Sequence, residues 1–260
     1  MPRFAGQTVL AVFAHPDDES IACGGTLARL ADEGARVVLV CASRGERGSN
    51  SGPTRDDELG VTRSRELRDA AAILGIADVL IFDHPDGDLR WAHVSELHAQ
   101  LTMAVRHFGA AAVITFGEDG LYWHADHIGV HERVTTALVN LGTEAPPLYY
   151  VTMPKGSMRG IVDTATARGW TAPLSGFWSL APEAFGDAAA PPGLIVNVTD
   201  WVPFKLAAIR CHCSQMVAGH PLARLESDEA KRWLGVECFR RAAIPGTGER
   251  LLERLEDVID

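Results

Sequence analysis

The sequence predicts an α/β fold: a Rossmann-like, mostly parallel sheet with helices on both faces, plus an irregular lid-like segment. Three observations carry this expectation. Apolar runs recur without polar alternation, as in strands buried on both faces. The segments between them place apolar residues at helical spacing and are long enough to serve as crossovers. The first apolar run also ends in His15-Pro16-Asp17-Asp18-Glu19, and such charge belongs at the sheet edge where open α/β folds bind ligands.

The elements follow in order. Thr8 to Phe13 reads as a strand, and Ile21 to Glu33 as a helix with Leu27 and Leu30 inward, stopped by Gly34. Val37 to Ala42 is the second strand. Arg63 to Leu74 is a helix with Leu67, Ala70, Ala71 and Leu74 on one stripe, ended by Gly75. Val79 to Phe82, Ala112 to Phe116 and Leu148 to Val151 are strands, separated by helices over His93 to Phe108 and Asp126 to Leu141. From Met153 to Gly193 the glycines, prolines and interleaved tryptophans predict an irregular loop or lid. Ile195 to Val198 resumes a strand, and Pro203 to Ala218 reads as a helix with proline in its first turn. The chain is expected to be a single domain over 1–260: a core over 7–152, the lid over 153–193, and a C-terminal strand and helices over 194–260.

Composition excludes several classes of function. A formal net charge of −10 argues against nucleic acid as the main partner, since phosphate backbones call for Lys and Arg stripes. No apolar stretch has the length of a membrane span, and the N-terminus carries no signal-peptide pattern, so a cytoplasmic protein is expected. The 5 cysteines are scattered and odd in number, which predicts reduced thiols. Cys211 and Cys213, if helical, do not share a face, and are read as packed helix residues rather than metal ligands. Homo-oligomerisation is left open.

Three motifs carry the chemistry. The first is the pentad after strand one. The second, His84-Pro85-Asp86-Gly87, echoes it after strand three but lacks the second aspartate, and Asp86-Gly87 is also a ready turn. The third is Tyr122-Trp123-His124-Ala125-Asp126-His127, after strand four and at the start of a helix. In a sheet ordered 3-2-1-4-5, strands one and four are neighbours at the switch point, so the first and third motifs converge. His15, Asp18 and His127 then form a His₂Asp set with a position open for water, suited to Zn²⁺ and also to Fe²⁺.

Asp17 lies beside the ligand pair on a different bearing, as a general base would. His124 is placed to protonate a leaving amine or steady an oxyanion, and Tyr122 to donate a hydrogen bond to the same oxyanion. Asp126 either caps its helix or serves the site. Glu19 suits the positive end of the first helix dipole, and His131 is read as a packing or supporting histidine. A nucleotide-binding Rossmann protein is disfavoured, because the first turn lacks Gly-x-Gly-x-x-Gly and its carboxylates would repel a pyrophosphate.

These motifs resemble those of the LmbE-like, or PIG-L, zinc-dependent N-deacetylases. Arg44-Gly45-Glu46-Arg47-Gly48 is similar to the family's loop after strand two, and Arg63-Ser64-Arg65-Glu66-Leu67 to its Arg-x-x-Glu-Leu helix start. Pro85-Asp86-Gly87 and His212-Cys213-Ser214-Gln215 match two further segments. The resemblance covers roughly 7–140 and 203–216. It implies an LmbE-like deacetylase fold, zinc on His15, Asp18 and His127, Asp17 as base, and a polarising His124 with Asp126 beside it. Tyr122 matches a residue that assists the oxyanion in mycothiol-pathway members. Glu46, Arg63 and Asp86 fall where relatives contact sugar hydroxyls. The implied substrate is a small-molecule N-acyl amino sugar of the N-acetylglucosamine type. A thiol conjugate's amide, or an aminoglycoside or glycopeptide intermediate, is the alternative. Trp123, and Ala125 in place of the usual proline, depart from the family pattern and bear on the shape of the pocket.

Overall fold

In the computed structural model, residues 2–50, 54–91, 93–170, 178, 180–186, 190–216, 220–246 and 248–256 are described. Strands β1 (Thr8–Phe13), β2 (Arg36–Cys41), β3 (Asp78–Ile81), β4 (Ala112–Phe116) and β5 (Leu148–Thr152) all run parallel. Two more, β6 (Leu194–Asn197) and β7 (Val236–Arg241), join antiparallel, and the sheet order is β3-β2-β1-β4-β5-β7-β6. The order 3-2-1-4-5 expected from the sequence is thus observed, extended on one side. The central strands are buried almost throughout, which explains their unbroken apolar runs, whereas edge strand β6 alternates buried and exposed residues.

The helices are α1 (Asp18–Asp32), α2 (Leu59–Ile73), α3 (Val94–Phe108), the short α4 (Gly120–Trp123), α5 (Ala125–Leu141), α6 (Ser157–Ala167), α7 (Val202–Cys211), the short α8 (Pro221–Arg224) and α9 (Ser227–Leu234). Helices α1 and α2 both pack on α7, while α3 packs on α5. No helix among the described residues is long and apolar enough to cross a membrane.

Three local expectations need correction. The first helix begins at Asp18 rather than Ile21, so the acidic pentad forms its entry and first turn. The span from Met153 to Gly193 is not irregular throughout: it contains α6, with Met158, Ile161 and Ala165 buried. Gly160, one of the glycines behind the irregular expectation, lies within α6: a Cβ there would lie 2.2 Å from the Trp233 ring, so the glycine admits an indole from α9. Residues 171–177, 179 and 187–189 of that span lie outside the described residues. The late helix ends at Cys211, because His212 leaves helical geometry (φ −79°, ψ 54°), and 217–219 lie outside the described residues. Cys213 is therefore an exposed thiol off the helix, donating to the Arg210 carbonyl, and not a packed helix residue. All 5 cysteines are free.

A buried charge cluster joins the two ends of the fold. Helix α1 breaks at Cys23 (φ −151°, ψ 28°). Beyond the break, the amides of Gly25 and Thr26 donate to the Glu237 carboxylate of β7, at 2.9 and 2.7 Å. Lys205 Nζ of α7 closes on the same carboxylate at 2.6 Å. A Cβ on Gly25 would come within 2.6 Å of Val198, so this close approach requires glycine. Removing one partner of such a cluster strands the other buried charge. Glu237→Ala should therefore cost about 3–5 kcal/mol of stability, read as a lower urea midpoint, and the Lys205→Met, Glu237→Met double variant should recover part of that loss.

Candidate active site

Strands β1 and β4 are neighbours, and the chain leaving each one builds the site. Asp17 takes a left-handed conformation (φ 124°), a strained geometry for a residue with a Cβ. The Glu19 carboxylate, which accepts the Asp17 amide at 3.1 Å, helps to hold it. So does Arg63, which donates to the Pro16 carbonyl at 2.7 Å and lies 3.3 Å from the Asp17 carboxylate. After β4, Leu121 (φ 66°) and Trp123 (φ 67°) are similarly strained around Tyr122, and Asp119 accepts the Leu121 amide.

Two imidazoles turn lone pairs toward Asp18. His15 Nε2 lies 3.1 Å from both Asp86 Oδ1 and Asp126 Oδ2, so its proton belongs on that nitrogen and Nδ1 faces Asp18 Oδ2 at 3.4 Å. The His127 ring stacks on Phe116 at 4.0 Å and donates from Nδ1 to the Gly120 carbonyl at 3.1 Å. That leaves His127 Nε2 buried without a hydrogen bond, 3.2 Å from Asp18 Oδ1. Electron-rich atoms at this separation call for a cation among them. The donor set of two imidazoles and a carboxylate fits zinc, and these groups are buried and already oriented. His124 lies close by, with a ring nitrogen within 4.8 Å of those of His15 and His127.

The electrostatics follow from burial and these contacts. Burial opposes charge on His15, but hydrogen bonds to Asp126, Asp18 and Asp86 outweigh it and raise its pKa well above the usual value, so the place between Nδ1 and Asp18 calls for a cation, whether a proton or a metal ion. Burial would likewise raise Asp18, but His127 and His15 hold it well below the carboxylate range. Asp17 is pushed up to about 6 by burial, against the pull of Arg63. Burial and the neighbouring histidines lower His124 to about 4, so it is neutral near pH 7. Its Nδ1 accepts the Asp126 amide at 3.3 Å, which puts the proton on Nε2. Burial raises the Tyr122 hydroxyl well above its usual pKa, keeping it a donor.

Several residues stand differently from expectation. Arg63 is buried and spends its guanidinium on the Gly45 and Pro16 carbonyls and on Asp17, so it is no exposed sugar contact. Asp86 has one oxygen on His15 and the other on the Arg47 amide, and its pKa falls to about 2: burial would raise it, but the His15 contacts prevail. Exposed Glu46 accepts the Asp86 amide. Asp126 is not the cap of α5, a role taken by His124. It is buried and accepts the Gly87 and Leu89 amides at 2.7 and 3.0 Å as well as His15.

Glu19, expected to serve a helix dipole, is fully buried and pairs with His212 Nε2 at 2.9 Å. Glu66 binds the Ser214 amide and hydroxyl, so two separate sequence motifs are one contact. His131 donates to the Phe116 carbonyl and stands apart from the cluster, as a packing residue would. Sequence reasoning missed the Phe116 stacking, Phe185 beside Tyr122, and the Lys205–Glu237 pair. Only the anomaly of charged residues inside apolar segments hinted at that pair.

A His–carboxylate centre at the switch point of an α/β sheet is the class of site that this geometry defines. Residues 10–138 match the PIG-L family model, described as GlcNAc-PI de-N-acetylase. Similar curated relatives are the 1D-myo-inositol 2-acetamido-2-deoxy-alpha-D-glucopyranoside deacetylases of Thermobispora bispora (32% identical over 93% of this chain and 90% of the relative) and Streptomyces griseus (30%, over 96% and 88%). The fold is shared with the N,N'-diacetylchitobiose deacetylase of Pyrococcus horikoshii (TM-score 0.63, 23% identical, 91% and 84% covered). It is also shared with the 4-carboxy-2-hydroxymuconate hydratase GalB of Pseudomonas putida (TM-score 0.66, 21% identical, 94% and 99% covered). The chain belongs to the PIG-L family.

Asp126→Ala would leave the Gly87 and Leu89 amides without their acceptor and His15 Nε2 with Asp86 alone. At about 1–3 kcal/mol for the stranded buried Leu89 amide, the expected outcome is a fall in the denaturation midpoint and faster hydrogen exchange at the two amides.

Proposed function

We propose that this protein hydrolyses an amide, removing the acetyl group from the amino nitrogen of an N-acetylglucosamine-type small molecule, with zinc held by His15, Asp18 and His127. The observation that supports this reading best is the convergence of His15 Nδ1 and the orphaned His127 Nε2 on Asp18, with Asp17 alongside. The names of the two curated relatives, both deacetylases of an acetamido sugar, support the substrate class.

A zinc ion in that donor set supplies Lewis acidity to the carbonyl and to the attacking water. Asp17 acts as the base. A carboxylate pushed up to about 6 is mostly ionised at neutral pH, yet basic enough to take a proton from water as it attacks the carbonyl carbon. His124 Nε2–H and the Tyr122 hydroxyl donate to the oxygen on which charge develops. Asp17 then returns its proton to the departing nitrogen, so water and amide become acetate and a free amine. Arg63, Asp86, Asp126 and Glu19 act through the groups they hold, as positioning residues, and Glu46 stands at the exposed side where sugar hydroxyls would approach. The net negative charge and free thiols suit a cytoplasmic enzyme of small molecules.

Asp17→Asn should keep zinc at the wild-type stoichiometry by elemental analysis while kcat falls by about 10²–10⁴; undiminished amine release would remove Asp17 from the base role. A chelator should abolish amine release from N-acetylglucosamine-type substrates, and added zinc should restore it.

A further inference from the structure

A cavity of about 370 Å³ opens directly from the catalytic carboxylates, lined at that end by Asp17, Asp18 and Tyr122. It runs between α1, the end of β5, α6, α9 and β7. Its walls are largely apolar, among them Ile21, Ala22, Met158, Ile161, Leu222 and Leu234. Of the basic side chains on its lining, Lys205 is neutralised by Glu237, whose carboxylate is further satisfied by the Gly25 and Thr26 amides, and exposed Arg232 lays its guanidinium over the Trp233 ring. The pair therefore makes no demand for a charged ligand. His15, Glu46, Arg63 and Asp86 take no part in the lining. The apolar cavity thus meets the site at Asp17 and Asp18 without those residues of the polar loops after β2 and β3.

An amide spanning Asp17 has two unlike ends. A polyhydroxylated amine suits the polar loops, which leaves the acyl group for the cavity. An acetyl methyl needs little more than the space of one water, roughly 30 Å³, so the cavity has room for far more. We propose that it is an acyl-binding subsite, and that the enzyme accepts linear apolar acyl groups longer than acetyl, hexanoyl among them. This rests on the amide-hydrolase reading above and extends it on the acyl side.

The test compares zinc-loaded enzyme on N-acetyl-, N-butanoyl-, N-hexanoyl- and N-octanoylglucosamine, and on octyl N-acetylglucosaminide, by amine release. Burial of each methylene is worth about fourfold in affinity, so kcat/KM should rise from acetyl to hexanoyl by at least tenfold. The Kd of the inert Asp17→Asn variant, by calorimetry, should fall in parallel. Met158→Trp and Ile161→Phe, which fill the cavity from α6, should each lower the hexanoyl-to-acetyl ratio by tenfold or more, a ratio that does not depend on how much protein folds. Acetyl cleaved as well as hexanoyl, with equal Kd values, overturns the subsite and leaves the deacetylase reading standing. Preference for octyl N-acetylglucosaminide over N-hexanoylglucosamine also overturns it, since the cavity would then hold the aglycone. Release of amine from none of these amides overturns the function itself.

Discussion

The protonation of His15 decides how this sheet edge can be used. Asp86 and Asp126 both address Nε2, so the proton resides there and Nδ1 is left facing Asp18. At His127 the Gly120 carbonyl does the same from the opposite ring nitrogen, leaving Nε2 inward. The two rings present lone pairs to one carboxylate because a carbonyl and two aspartates remove the alternative tautomers. Partners of this kind commonly change metal affinity by about 10–100-fold, so the residues behind the histidines weigh nearly as much as the histidines.

Around that clamp, other motif residues serve as scaffolding. Arg63 holds the Pro16–Asp17 turn, Glu19 takes the Asp17 amide and His212, and Glu66 grips Ser214. A left-handed aspartate costs about 1–3 kcal/mol, and these contacts over-determine the turn strongly enough to keep it. The result is an Asp17 carboxylate turned to Arg63 while that of Asp18 faces the two histidines, although the two are sequence neighbours.

Much of this was legible in the residues. The parallel strands announced themselves as apolar runs, and their order followed from crossover rules, which brought the first and third motifs together across more than a hundred positions. The sugar-contact reading of Arg63 and Asp86 and the dipole reading of Glu19 did not foresee their interior partners, because carbonyls, amides and imidazoles from distant segments satisfy them. Strand β7 was missed because Val236-Glu237-Cys238 carries a carboxylate where a strand of this sheet should be apolar, and its partners lie two hundred residues away. Helix α6 was missed because Gly160 signals a break unless Trp233 is known to rest on it.

The break in α1 has a consequence for how the molecule assembles. The amides of Gly25 and Thr26 find their acceptor only on β7, which is made long after every residue of the catalytic centre has left the ribosome. A nascent chain that already contains His15 through His127 therefore still lacks the carboxylate that completes its first helix. The helix that carries Asp18 in its first turn is thus completed by a carboxylate from the far end of the chain, and the first and last strands of the sheet are held through it.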